Sequence, residues 1–292
     1  MANWKLRCAV NTAKALVPFQ DILRSTKRRL FNSRDNLAWR FPYLGGWNQV
    51  AQLEDSGFDL TGLHLLEIGS GWNPVVPLIM RIAGAESVSM TDKYRLMQFG
   101  DLQRAAAYLE SRKEDLSERT DRPPDDIVHF LKGVQSAGSL RKASEEFGLH
   151  YVVPVDLERL PMVDGIFSQR VLEHFKPNAL DAIFIQSQKA LRPGGFVLHR
   201  IDNSDHRAHH DPKLSQIDFL RYDEWAWRCL CLNPQDYTNR MRHSDYRKLI
   251  LNAGFKLIVD APTIDGSALR SLNDLPLSAH FREYDPCDLA AV

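Results

Sequence analysis

A short segment of the chain is dense in side chains that can accept protons. Residues 199–211 contain four histidines and three aspartates. A positioned imidazole or carboxylate removes the proton from a reacting hydroxyl group and speeds such a reaction by about 10²–10⁴-fold. We expect a general base here, with Asp202 and His206 as the preferred candidates and His174 as a third. The seven residues are His199, Asp202, Asp205, His206, His209, His210 and Asp211.

Two alternatives apply to these residues. Histidine and aspartate are also suitable ligands for a divalent metal ion, so the segment can be a metal site instead. His174 can equally be a structural residue that bonds the backbone at the start of a helix. The sequence does not separate these possibilities.

A second group of residues is typical of a buried strand that turns into a helix. It is the run LLEIGSGWNP at residues 65–74, and its two glycines, Gly69 and Gly71, let a ligand approach the backbone. Asn73 suits the helix N-cap, and Pro74 suits the first helical position, whose amide needs no intrahelical partner. The run therefore predicts a ligand-binding turn with a defined start and end.

The residues around the turn favour one kind of ligand over another. Enzymes with nicotinamide or flavin cofactors use a related G-x-G-x-x-G turn to seat a pyrophosphate. Pro74 stands where their third glycine permits close packing of helix and strand, and Glu67 suits an ammonium group better than phosphates. Asp92, near the end of the next apolar run, can accept two hydroxyl hydrogen bonds from the ribose of either cofactor.

The elements that position these residues predict an α/β domain with a doubly wound, mostly parallel sheet, because short apolar runs alternate with helical stretches. Such sheets bind ligands beyond the carboxyl ends of their strands. Helices are expected at 75–83, 178–191 and 244–253, the last ending at Gly254, and a further strand at 255–259. The other strands are expected at residues 63–68, 87–91, 165–168 and 196–201.

Two stretches interrupt this alternation and are interpreted as helical insertions over the ligand face. They are residues 95–150, which carry a break at two consecutive prolines, and residues 203–245. The domain that holds them is expected to span 59–292. Residues 1–58 are interpreted as a basic helical extension, which can contact an anionic membrane surface or, as most such segments do, pack on its own domain.

Composition excludes several classes of protein. Acidic and basic residues balance at 37 each, which argues against a nucleic-acid partner. The four cysteines are scattered without zinc-site spacing, as expected for free thiols in a reducing compartment. Apolar runs fall short of the roughly 18 to 20 residues of a membrane-spanning helix, and the chain has no secretory signal pattern. The sequence therefore predicts a cytoplasmic protein and leaves its oligomeric state open.

Three later segments extend the pattern of the glycine turn: VDLERLP at 155–161, DGIFS at 164–168 leading to VLEH at 171–174, and LRPGGFVL at 191–198. Taken with the turn, they resemble class I S-adenosylmethionine-dependent methyltransferases in order and spacing over roughly residues 60–202. A looser similarity connects residues 40–43 and 239–246 to bacterial methyltransferases of the type 11 group, linked to polysaccharide or glycolipid synthesis.

The resemblance implies a Rossmann-like methyltransferase fold and S-adenosylmethionine as the cofactor. The family's sheet has seven strands with the last antiparallel, and we expect that final strand to be missing, displaced or truncated here. The resemblance assigns the cofactor's methionine end to Glu67, Gly69, Ser70 and Gly71, its ribose to Asp92, its adenine to Asp156 and Leu157, and its sulfonium side to Ser168.

The resemblance also implies the reaction. We expect O-methylation of a sugar, a glycolipid or another small hydroxyl acceptor, with the base drawn from Asp202, His206 and His174. Some sugar and catechol methyltransferases orient vicinal hydroxyls with a divalent ion, which keeps the metal alternative open. The competing functions are an NAD(P)-dependent oxidoreductase of Rossmann type and a non-catalytic cofactor-binding module.

Overall fold

The computed structural model describes residues 37–231 and 237–292. The chain divides into two compact units. The first, here called the sheet unit, comprises residues 37–169 and Gln186–Arg200 of the described chain. The second, called the C-terminal unit, comprises Arg170–Ile185 and the described part of Ile201–Val292. The basic segment with its expected membrane contact falls on residues 1–36, outside the described residues.

The described residues of the sheet unit form a five-stranded sheet in the order β3-β2-β1-β4-β5, and every neighbouring pair is parallel. The α/β fold class predicted from the sequence is thereby confirmed. All four runs expected to be strands between residues 63 and 201 are present, whereas β3 was not predicted and its first two residues fall in the stretch interpreted as a helical insertion. The strands are β1 His64–Ile68, β2 Ser87–Thr91, β3 Leu149–Val152, β4 Val163–Gln169 and β5 Leu191–Arg200.

Helices connect β1 to β2, β2 to β3 and β4 to β5, and the stretch expected to be mostly helical contains four of them. Pro124 is the first residue of the third, which explains the break at this point, because proline fits the first helical turn. The helices are α1 Leu37–Asp55, α2 Val75–Ile82, α3 Phe99–Glu110, α4 Lys113–Thr120, α5 Pro124–Ser136 and α6 Leu140–Phe147, with α7 Pro177–Ala190 before β5.

Helix α1 packs into the core of the sheet unit, where Tyr43, Trp47 and Val50 are buried with the residues of α2 and β1. Two glycines allow this close approach. A Cβ atom at Gly46 would lie 2.9 Å from Ile79 Cδ1, and one at Gly45 would collide with the side chain of Gln169. Each glycine costs an exposed helix about 1 kcal/mol relative to alanine, so the tight packing accounts for their presence.

The C-terminal unit contains short helices around two small apolar clusters. Its helices after β5 are α8 Glu224–Leu230, α9 His243–Asn252, α10 Gly266–Ser271 and α11 Pro286–Leu289. Shorter 3₁₀ turns lie at Leu172–His174, Asp218–Arg221 and Ala279–Phe281. Helix α9 agrees with its predicted range, and Gly254 follows it with φ of +87°, the left-handed conformation that closes many helices.

Arg242 connects distant segments of the C-terminal unit and is fully buried. Its guanidinium donates hydrogen bonds to the backbone carbonyls of Asn203 at 2.9 Å and Leu289 at 3.4 Å. Burial lowers the pKa of Arg242 to about 10, so the side chain stays protonated at neutral pH. It fixes the backbone next to Asp202, one of the predicted catalytic residues.

The prediction of a strand at residues 255–259 is wrong. Residues 255–259 carry no strand assignment, and Ile258 is 62% exposed. A strand needs a partner to satisfy its backbone groups, and this segment pairs with none within the described chain. The nearest pairing is an isolated antiparallel bridge between Ile264 and Ala291.

No helix within residues 37–231 and 237–292 is both long enough and apolar enough to cross a bilayer.

Candidate functional site

The glycine turn follows β1 in the sheet unit and is held by backbone hydrogen bonds. The N–H groups of Gly69 and Ser70 both donate to the carbonyl of Thr91, at 2.9 Å each. Gly69 and Gly71 have φ of +79° and +58°, a region that other residues rarely occupy. A Cβ atom at Gly71 would meet no described atom within 4 Å, so the turn borders open space as a ligand-binding turn requires.

Asp92 joins the loops that follow three strands. Its Oδ2 accepts a hydrogen bond from the Gly71 N–H at 2.9 Å, and its Oδ1 accepts one from the Tyr94 N–H at 3.1 Å. The Asp92 carbonyl accepts a third bond, from Val155 N–H, at 2.9 Å. Each carboxylate oxygen retains a further lone pair, so the side chain can still receive the two hydroxyl groups of a ribose.

Glu67 is the buried acid of the turn, with 4% of its surface exposed. Its Oε2 has no hydrogen-bond partner among the residues that the structure describes, and the same holds for the buried Oγ of Ser70. Burial raises the pKa of Glu67 to about 8, with a smaller contribution from the negative charge of Asp92. A ligand that brings a positively charged donor would satisfy this carboxyl group and favour its ionised form.

The predicted adenine residues follow β3. Leu157 is buried, and its contact with adenine stays a prediction. Asp156 is exposed, accepts a hydrogen bond from the Glu158 N–H at 3.2 Å, and pairs with Arg159 Nε at 3.1 Å. Its carboxylate is therefore engaged locally but remains accessible.

Ser168, at the end of β4, is completely buried. Its Oγ lies 2.9 Å from Nδ1 of His199 on β5, and its carbonyl accepts a hydrogen bond from Gln49 Nε2 at 2.9 Å. Burial lowers the pKa of His199 to about 4, so this imidazole is neutral at physiological pH. The structure thus pairs a residue predicted from the cofactor motif with one from the histidine-rich segment.

The sequence interpretation missed Gln49 and Gln169 at this end of the sheet. Gln49 is 1% exposed, and the side-chain carbonyl oxygens of both glutamines have no partner within the described part of the chain. The only sequence signal that could have pointed to them is the pair Gly45-Gly46 inside a helix. Such a pair indicates that another segment packs closely against the helix, but it does not identify that segment.

The three predicted catalytic residues lie together in the C-terminal unit. His206 Nε2 is 3.8 Å from Asp202 Oδ2. The ring centroids of His174 and His206 are 5.3 Å apart, and His209 stacks on His206 at 5.1 Å. Ser204 Oγ donates to Asp202 and lies 2.9 Å from His209 Nε2. We call His174, Asp202, Ser204, His206 and His209 the histidine cluster.

The electrostatics of the histidine cluster favour a neutral imidazole beside a carboxylate. Burial lowers the pKa of His206 to about 4, although Asp202 opposes this shift. Burial acts to raise the pKa of Asp202, but the hydrogen bond from Ser204 and the nearby His206 hold it below its ordinary value. His206 Nε2 has no hydrogen-bond partner among residues 37–231 and 237–292, so it can accept a proton.

Other members of the histidine-rich segment have structural roles. Asp205 is fully buried and forms an ion pair with Arg207 at 2.7 Å, and Arg207 also pairs with Asp218 at 3.1 Å. Asp211 accepts a hydrogen bond from the backbone of Lys213. The histidine-rich segment therefore contributes fewer residues to the histidine cluster than its composition suggested.

His174 bonds the backbone, which is the structural alternative given for it in the sequence analysis. His174 Nδ1 lies 2.8 Å from the carbonyl of Tyr237, so the ring also anchors the backbone. Glu173 is 2% exposed, and burial raises its pKa to about 8.

Within the described chain, no group of three or more histidine, cysteine, aspartate or glutamate side chains is arranged to hold a metal ion.

The fold and the turn define an α/β protein with a parallel sheet and a candidate ligand site at the carboxyl ends of β1, β2 and β4. No family model matches the sequence, and the search of curated proteins found no relative.

Several solved structures show a distant similarity. An S-adenosylmethionine-dependent methyltransferase from Mesorhizobium loti is 13% identical with a TM-score of 0.41, over 77% of this chain and 88% of that one. Magnesium protoporphyrin IX methyltransferase from Synechocystis PCC 6803, solved with bound SAH, is 16% identical with a TM-score of 0.44, over 84% and 89%. The cyclopropane synthase MmaA2 from Mycobacterium tuberculosis is 18% identical with a TM-score of 0.40, over 77% and 66%. The functional conclusion depends on the site residues.

Proposed function

We propose that the chain is an S-adenosylmethionine-dependent methyltransferase that acts on a hydroxyl group of a sugar, a glycolipid or another small acceptor in the cytoplasm. The observation that supports this most is the buried Glu67 carboxyl group at the glycine turn, whose Oε2 has no partner among the described residues. An ammonium group donates to such an oxygen in a charge-assisted hydrogen bond, which is about twice as strong as a neutral one.

The residues around the turn fit this cofactor better than a dinucleotide. Glu67 and Ser70 would hold the amino group of the methionine end, and Asp92 would accept the ribose hydroxyls. A diphosphate placed here would favour the protonated form of the buried Glu67 carboxyl group, whereas an ammonium group favours its ionised form and can donate to it. The donor set therefore supports a cofactor with a cationic amino acid over NAD(P).

When bound, S-adenosylmethionine supplies a methyl group already activated for displacement, so the protein mainly aligns the acceptor and excludes water. A hydroxyl acceptor must also lose its proton. We assign this step to His206, since its imidazole is neutral at physiological pH and its Nε2 can accept a proton. The carboxylate of Asp202, 3.8 Å away, stabilises the imidazolium that forms. Proton removal of this kind contributes about 10²–10⁴-fold to rate.

Calorimetric titration tests the cofactor assignment. We expect S-adenosylhomocysteine to bind at micromolar concentration and NADH not to bind. Glu67→Gln should weaken S-adenosylhomocysteine binding, because the amide offers no negative charge to the ammonium group. Glu86→Gln is the matched control, since Glu86 is exposed just before the start of β2. Tight NADH binding without S-adenosylhomocysteine binding would favour the oxidoreductase instead.

The acceptor class is tested by following transfer of a labelled methyl group to a panel of saccharides, glycolipids and small alcohols. We expect one hydroxyl compound to be methylated, and Asp202→Ala and His206→Ala to lower that activity without changing cofactor affinity. If both variants retain full activity, the base assignment fails. If the cofactor binds and no acceptor is methylated, a non-catalytic binding module becomes the better account.

A further inference from the structure

Gln49 is a buried polar side chain on a helix that packs into the core of the sheet unit. It lies on α1 between Trp47 and Val50, which are both core residues, and it is 1% exposed. Its Nε2 donates to the Ser168 carbonyl at 2.9 Å. Its Oε1 is buried and has no hydrogen-bond partner in the part of the chain that the structure describes. An amide oxygen left in this state lowers stability, so core packing alone does not explain a glutamine here.

The packing of α1 brings Gln49 to the end of β4. Gly45 precedes Gln49 by four residues and therefore lies on the same face of the helix. A Cβ atom at Gly45 would collide with the Gln169 side chain, so this glycine lets the helix approach the strand. Gln49 then reaches Ser168, the residue before Gln169 on β4.

This end of β4 adjoins the glycine turn. Glu67 of β1 pairs with Phe167 of β4 in the parallel register, so Ser168 and Gln169 lie at the same edge of the sheet as the residues after Glu67. Four buried side-chain oxygens at this edge lack a partner among residues 37–231 and 237–292, namely Glu67 Oε2, Ser70 Oγ, Gln49 Oε1 and Gln169 Oε1. The two amide oxygens and the ionised carboxylate only accept hydrogen bonds, which indicates that the missing group is a donor.

We propose that Gln49 binds the ammonium group at the amino acid end of the cofactor, so that α1 supplies part of the cofactor site and selects ligands that carry this group. The inference rests on the proposed function, since it takes S-adenosylmethionine as the ligand. An ammonium group has three N–H donors and can meet Glu67 together with the two glutamines. A purely structural Gln49 would affect every ligand of the site equally.

Two ligands separate these possibilities. S-adenosylhomocysteine carries the amino acid end, and 5′-methylthioadenosine has the same nucleoside and sulfur without it. Calorimetry of both ligands with Gln49→Leu should show S-adenosylhomocysteine binding about tenfold weaker and 5′-methylthioadenosine binding within twofold of wild type. The matched control is Asn48→Leu, which makes a comparable change at the exposed neighbouring residue of α1 and should alter neither affinity.

The outcomes distinguish this inference from the proposed function. If wild type binds neither ligand, the proposed function fails and the inference fails with it. If wild type binds both and Gln49→Leu weakens both equally, or weakens neither, Gln49 is structural and only the inference is overturned. Gln49→Met, which keeps the length of the side chain, replaces Gln49→Leu if the leucine variant does not fold, and the same affinity ratio decides.

Discussion

The glycine turn and the histidine cluster hold their polar groups in different ways. In the turn, backbone N–H groups donate to Thr91 and Asp92, while Glu67 has a buried carboxyl oxygen with no hydrogen-bond partner among the described residues. In the histidine cluster, side chains contact one another, as Ser204 bonds both Asp202 and His209.

The geometry of the turn is specified by neighbouring residues, whereas that of the histidine cluster needs distant segments of the chain. The turn depends on two residues with positive φ and one strand register, so nearby sequence specifies most of its geometry. The histidine cluster depends on chain segments held together by groups such as Arg242, whose hydrogen bonds reach Asn203 and Leu289. Changes at the turn should therefore act on ligand binding, and changes in the cluster should act on the reaction.

The largest effect is expected from Gly71→Val. Gly71 has φ of +58°, where a β-branched side chain costs about 1–3 kcal/mol in strain, and the new methyl groups would occupy the space beside the turn. We expect at least a roughly hundredfold loss of S-adenosylhomocysteine affinity by calorimetry. Gly57→Val is the control, since Gly57 follows α1 with φ of +83°. It should lower the melting temperature similarly and keep the affinity. An equal loss of affinity in both variants would show that backbone strain, and not the position of Gly71 in the turn, weakens binding.

The next effect is expected from His206→Ala, with kcat lower by about 10²–10⁴-fold and the S-adenosylhomocysteine dissociation constant within twofold of wild type. Under the proposed function, removing the imidazole leaves the acceptor hydroxyl without its base. His129→Ala, a change at an exposed histidine of α5, should affect neither quantity. A large change in cofactor affinity for His206→Ala would contradict the separation of the two regions.

A smaller effect concerns pH and compares Glu67 with Glu173. Both carboxyl groups have pKa values raised to about 8 by burial, so the unfolded chain ionises first and stability is lost as pH rises from about 4.5 to 8. Glu67→Gln and Glu173→Gln should each gain roughly 3 kcal/mol of stability over wild type between pH 5 and pH 8, by guanidinium unfolding. Only Glu67→Gln should weaken S-adenosylhomocysteine binding. If both variants weaken S-adenosylhomocysteine binding, the assignment of ligand binding to the glycine turn alone fails.

The smallest effect is expected from Ser204→Ala. The serine donates to Asp202, and its loss should raise the pKa of Asp202 and reduce kcat by less than about tenfold, since one hydrogen bond contributes about 1 kcal/mol. A pH profile of kcat should show its acidic limb displaced upward. Ser267→Ala is matched, because Ser267 donates in the same way to Asp265 on an exposed helix. An unchanged profile for Ser204→Ala would remove Ser204 from the cluster's function.

The sequence predicted the parts of the fold that depend on neighbouring residues. Strand β2 has the predicted bounds, and Gly254 ends α9 as expected. Strand β3 was missed because its four residues adjoin a helix and are mostly half-buried, so they lack the apolar run of the central strands. The expected strand at 255–259 was wrong because an apolar run becomes a strand only when another strand pairs with it.

The site shows the same division. Two positive-φ glycines, an acid before them and an acid after the next strand are local patterns, and the sequence alone determined the turn that Glu67 and Asp92 flank. Only the tertiary structure decided that Gln49 reaches Ser168 across 119 positions of sequence, and that Asp205 pairs with Arg207 while Asp202 faces His206. Backbone conformation follows from neighbouring residues, whereas burial, pairing and proton affinity follow from what the folded chain places around each side chain.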